Sequence, residues 1–155
     1  MMSRCFVSYR HVKPDEGLAV HLTQFLSDKQ HEVFIDNQLL VGARWTEAID
    51  KQIRAAEFFI VLLSGESIKS EMVRQEVKLA HQLSQKPKRP MTILPIRVDF
   101  AGELPYDLGA YLDRIQYASW KSGESYDKIS AQILAAIEER LTLPRDGKME
   151  EEKAS

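Results

Sequence analysis

The residue best placed to do chemistry in this sequence is Glu76. It lies four residues after Met72 in a run whose spacing predicts a helix over residues 70–83, with apolar Val73, Val77 and Leu79 around it. A carboxylate beside an apolar stripe is partly desolvated, and its charge can then stabilise a neighbouring positive charge strongly. A second role is open to it: a glutamate at the edge of a buried face can simply pair with an arginine or lysine. Two further polar groups end apolar runs. Ser8, Tyr9, Arg10 and His11 close the first, and Ser64 and Ser70 follow the run Phe58 to Leu63. Ser8 either points into packing or lines a cleft, and Arg10 either faces a bound anion or is a solvated loop arginine. Ser70 is placed as the N-cap of the helix that carries Glu76. The histidines His21, His31 and His81 form no ligand-spaced cluster with Cys5, so no metal site is expected. Cys5 itself sits in an apolar run, as a small buried hydrophobe.

The elements that must hold these groups are legible from periodicity. Arg4 to Tyr9 is short, apolar and β-branched or aromatic, and Leu18, Val20, Leu22, Phe25 and Leu26 recur behind it at helical spacing. Glu32 to Asp36 precedes a helical face of Trp45, Ala48, Ile49 and Ile53. Phe58 to Leu63 has no polar position, which predicts a strand buried on both faces of a parallel sheet. Met91 to Val98 and Gln116 to Trp120 complete five strands, and Tyr126 to Leu141 forms a last helix. Such alternation implies a flavodoxin-like α/β fold, a five-stranded parallel sheet in the order 2-1-3-4-5 with helices on both faces. Ligands of that fold bind where the strand order reverses, outside the carboxyl ends of strands one and three. The loops 10–16 and 64–70 line that crevice.

Composition bounds the function. The chain has 155 residues, 44% of them apolar, enough for one core. With 21 basic and 23 acidic residues, it has no field to draw nucleic acid or an anionic membrane. The apolar run near the start, Cys5 to Val7, is too brief for a signal core or a membrane span, so a soluble cytoplasmic protein is expected. None of the seven glycines fall in a G-x-G-x-x-G arrangement, and no P-loop occurs, which argues against hydride transfer and triphosphate hydrolysis. A phosphorelay receiver would need clustered aspartates where the chain has Ser8-Tyr9-Arg10 and Ser64.

The runs resemble, in order, the Toll/interleukin-1 receptor (TIR) domain. Phe6-Val7-Ser8-Tyr9-Arg10 is similar to the family's first box. Val33-Phe34-Ile35-Asp36 with Leu40, Gly42 and Trp45 is similar to its second strand and long loop, and Val61-Leu62-Leu63-Ser64 to its third strand. Ser67 to Glu76 matches its serine-rich entry to the third helix, ending in the family's glutamate. The resemblance implies a TIR domain over residues 1–141, followed by a charged tail or linker over 142–155. It also implies, for the bacterial NAD-cleaving type, an NAD glycohydrolase with Glu76 catalytic. NAD is then a substrate and no cofactor is needed. Cleavage of the bond between nicotinamide and ribose develops positive charge on the sugar, which Glu76 would stabilise while holding ribose hydroxyls. Water would then give ADP-ribose, and the substrate's own adenine a cyclic ADP-ribose.

Ser8, Tyr9, Arg10, His11, Asp36, Ser64, Ser70 and Met72 are the expected substrate-binding set, with Arg10 facing the pyrophosphate. Met72 stands where many enzymatic members carry tryptophan, so it either packs on a base through its sulfur or packs in the core. Leu39, Leu40, Val41, Gly42 and Trp45 correspond to the loop with which the family packs on neighbouring domains, although Leu39, Leu40 and Trp45 could instead cover the core edge. The partners so implied are other TIR domains in a self-assembly and a sensor domain, fused or separate, in bacterial immune (anti-phage) signalling. A non-enzymatic TIR adaptor, using the same loop and helices as an interface, is the competing expectation.

Overall fold

The all-apolar run Phe58–Leu63 becomes β3, the middle of a five-stranded sheet, with every residue buried. The computed structural model of the chain describes residues 2–35 and 45–143. Around β3 stand β1 (Arg4–Ser8), β2 (Glu32–Ile35), β4 (Thr92–Val98) and β5 (Ala118–Trp120) in the order β2-β1-β3-β4-β5. All neighbouring strands run parallel. Five helices alternate with them: α1 (Asp15–Asp28), α2 (Trp45–Ala55), α3 (Glu71–Ser84), α4 (Tyr106–Leu112) and α5 (Tyr126–Thr142). A 3-10 turn, Ser67–Lys69, leads into α3. The expected fold class and strand order are those observed.

Side chains on a strand alternate between faces, and this sorts the core into two layers. Cys5, Val7 and Tyr9 with Phe58, Ile60 and Leu62 pack against Leu18, Leu22 and Leu26 of α1 and Ile129, Ile133 and Ile137 of α5. Phe6, Phe59, Val61 and Leu63 point the other way, onto Ile49 and Ile53 of α2, Val73, Val77 and Ala80 of α3, and Leu108 of α4. The same parity governs the polar residues that end the strands. Ser8 shares the α3 side with Phe6, whereas Ser64 continues the row of Phe58, Ile60 and Leu62 towards α1.

Some boundaries differ from the sequence reading. α1 begins at Asp15, so residues 15 and 16 belong to its first turn and not to the crevice loop. Val20 is exposed, lying off the buried stripe of Leu18, Leu22 and Leu26, and Ala48 likewise faces out from α2. β5 is two residues shorter than expected, because Gln116 and Tyr117 are exposed beyond the last pairing with β4. α4 was not expected: it has seven residues with Gly109 inside, too short for a periodic signal. Among the described residues, no helix is long and apolar enough to cross a membrane. Asp36, Leu39, Leu40, Val41 and Gly42 lie outside the described residues, as does the expected tail from residue 144 onward. Of Trp45 only the backbone, opening α2, lies within them.

Candidate active site

The parity of β1 and β3 brings two carboxylates to the switch point, each met by the serine of the other's strand. Ser8, the last residue of β1, donates from Oγ to Oε1 of Glu76 in α3 at 2.6 Å. Ser64, just after β3, donates from Oγ to Oδ2 of Asp15 in α1 at 2.6 Å. Both distances are in the range of hydroxyl-to-carboxylate bonds. Both bonds are buried: Glu76 is 2% exposed, and Ser8 and Asp15 are 0%. Burying a carboxylate without partners is costly, so each serine both stabilises and aims the group it meets.

Glu76 reaches this position because α3 is anchored at its start. Ser70 has extended backbone and its Oγ accepts from the Val73 N–H at 3.3 Å, the N-cap expected of it. Val73, Val77 and Ala80 bury the inner stripe of the helix, which turns Glu76 to the end of β1. Met72, one turn earlier, is half-buried and packs on the α3-side core. Ahead of the cap, Ser64 and Ser67 lock the connection. Ser67 Oγ accepts from the Ser64 N–H at 2.7 Å and donates to the Leu62 carbonyl at 2.7 Å.

The structure brings Ser8 to Glu76 on the α3 side of the sheet and turns Ser64 to Asp15 on the α1 side, while Ser70 caps α3 and Met72 packs on the α3-side core; other expected members stand apart. Tyr9 is 1% exposed in the α1-side core, on the sheet face opposite Glu76, and its ring stacks on His11 at 4.4 Å between centroids. Arg10 is exposed just past the end of β1. Asp36 lies outside the described residues.

Asp15 was absent from the residues expected at the site. Burial, opposed by the Ser64 hydrogen bond, pushes its carboxyl up from 3.8 to about 6, and Asp99 and Glu66 add to the rise. Its Oδ1 has no hydrogen-bond partner among the described residues. An acidic residue opening a helix is ordinary, and this hid it in the sequence. The signal that could have found it is the strand parity that turns Ser64 towards α1.

Other reactive side chains have structural roles. Burial pushes the Cys5 thiol up to about 11, which leaves it inert as a nucleophile. His31 is buried with Nδ1 accepting from the Ser3 N–H at 3.1 Å, and burial lowers its pKa. His21 meets Asp127 at 3.0 Å, and His81 packs on Tyr111. Trp120 is buried against Tyr126. No group of histidine, cysteine and acidic residues that could hold a metal ion occurs among the described residues. An open concavity of about 500 Å³ lies at the end of β4, lined by Arg97, Gly102, Glu103, Asp113 and Tyr117 among others. Its one cation faces two carboxylates, and Arg97 is already engaged by the Gly102 carbonyl at 2.6 Å, so it is poorly matched to phosphates.

The fold has counterparts among solved structures. The TIR domains of the activated Roq1 resistosome, which recognises the pathogen effector XopQ, superpose with a TM-score of 0.69 at 18% identity, over 87% of this chain and 99% of that one. The TIR domain of the Toll-related receptor TRR-2 from Hydra magnipapillata gives 0.62 at 17% identity, over 85% and 94%. A CMP N-glycosidase from Clostridium botulinum, BcmB, gives 0.60 at 15% identity, over 86% and 98%. At these identities the likeness is one of fold. No curated protein sequence matches the chain. A family model described as the TIR domain matches residues 5–134, most of the chain and the whole of the crevice: this protein belongs to the TIR domain family.

Proposed function

We propose that this TIR domain cleaves the nicotinamide–ribose bond of NAD, with Glu76 as its catalytic residue, when copies of the chain assemble. The observation that carries the reading is the buried Glu76 carboxylate, aimed by Ser8 at the switch point of the sheet. As the glycosidic bond stretches, its electron pair leaves with nicotinamide and positive charge builds on the ribose. A carboxylate in a low-dielectric crevice stabilises that charge far better than water would. Water adding to the sugar then gives ADP-ribose and one proton, and attack by the adenine gives a cyclic isomer. Arg10 would hold the pyrophosphate. The reading is in keeping with a fold that also serves an enzyme named as an N-glycosidase. A setting in immune signalling, and a sensor domain that triggers assembly, belong to the same proposal.

At 2% exposure Glu76 is closed to a substrate in the single chain. That closure favours activation by assembly, which would shift the residues over the crevice, and it equally favours a second reading, an adaptor that associates with other TIR domains without turnover. Nicotinamide release by concentrated protein, with products separated chromatographically, divides the two. The catalytic reading expects release by the native chain and a loss of at least a hundredfold in Glu76→Ala. Turnover retained by a folded Glu76→Ala would remove Glu76 from the mechanism.

A further inference from the structure

We propose that Asp15 is a positioning residue for the Glu76 site, holding the start of α3 against the end of β1 through a buried chain of three serines. The links run without a gap. Asp15 Oδ2 accepts from Ser64 Oγ at 2.6 Å, and Ser64 Oγ accepts in turn from the Ser67 N–H at 3.1 Å. The Ser67 carbonyl accepts from the Ser70 N–H at 3.0 Å, and Ser70 Oγ caps α3 through the Val73 N–H. One turn on, Glu76 meets Ser8, and Ser8 pairs in the sheet with Val61, three residues before Ser64. The contacts therefore close a ring: β1, β3, the serine chain, α3 and back to β1. Asp15, Ser64, Ser67, Ser70, Ser8 and Glu76 are all buried, so water cannot easily replace a broken link.

A charged Asp15 holds the Ser64 hydroxyl more firmly than a neutral one, since a hydrogen bond to an ionised acceptor is about twice as strong. A hydroxyl that donates well also accepts better, so the effect passes to Ser67. Asp15 holds the ring from outside, at Ser64, so its protonation loosens the ring there. The groups acting on that titration are Ser64 and the backbone at the start of α1, which favour the charge, and Asp99 after β4 and Glu66 after β3, which oppose it. The balance sets the change at about pH 6.

The test is a pH titration by NMR of protein with 13C-labelled aspartate and glutamate side chains and 15N-labelled backbone. The amides of Ser67 to Val73 and the Glu76 carboxyl carbon are expected to shift with the same midpoint as Asp15. Asp15→Asn should abolish that shared transition, and Ser64→Ala should cut the amides and Glu76 off from an Asp15 that still titrates. If the wild-type amides and Glu76 stay still while Asp15 titrates, or if the transition survives in Asp15→Asn, the proposal is overturned; the wild-type titration decides even if a variant fails to fold. The consequence for turnover rests on the NAD-cleavage reading. There kcat should fall about tenfold as pH drops through the midpoint with KM little changed, and Asp15→Asn should lack the inflection. Absence of any NAD cleavage would defeat that reading alone, because the coupling is read without substrate.

Discussion

Ser8 and Glu76 carry the account at the level of single residues. Ser8 has no exposure, and its hydroxyl is spent on Glu76 Oε1. Ser8→Ala removes a hydrogen bond from a buried carboxyl group, a loss of about 1–3 kcal/mol in stability. Chemical denaturation should show it, and NAD cleavage should fall with it because Glu76 is no longer aimed. Asp15 makes the opposite kind of prediction. Its carboxyl is raised from 3.8 to about 6 in the folded chain, so between these values the folded state holds the proton more tightly than the unfolded one. Stability from this group is complete below about pH 4 and declines as pH rises through 6, by on the order of 3 kcal/mol. Asp15→Asn, neutral at every pH, should raise the melting temperature by several degrees at pH 8 and leave it nearly unchanged at pH 4. An equal shift at both values would mean that the burial of charge is not what Asp15 costs.

Elements explain which of these residues could be read in advance. β3 could be placed to the residue because a short run of six apolar positions suits a strand buried on both sides, and the alternation of β and α runs suggested the strand order. Ser70 could be named as a cap because an N-cap needs only a local pattern. Its loss in Ser70→Ala should cost about 1 kcal/mol, seen as faster amide hydrogen exchange at Val73 and Arg74 than in the rest of α3. The bond between Ser8 and Glu76 was beyond local patterns, because it joins residues 68 apart and depends on which way the last strand residue turns. Asp15 was missed for the same reason: a helix-opening acid looks solvated until Ser64 is seen to face it. Tyr9 shows the limit from the other side, since one step along β1 moves a side chain to the opposite layer of the core.

For the whole molecule, the sheet reverses between β1 and β3, and the cross-strand pairing of serines with carboxylates closes the gap that the reversal opens. On the proposed NAD-cleavage reading, the burial of Glu76 keeps a single copy idle and makes assembly the trigger. The rate of nicotinamide release per chain, followed as protein concentration is raised from dilute to crowded conditions, tests this most directly. The account predicts a rate per chain that climbs steeply with concentration and is absent throughout in Glu76→Ala of equal stability and equal assembly. A native chain that assembles and still releases no nicotinamide, or a variant that releases as much as the native chain, would contradict it.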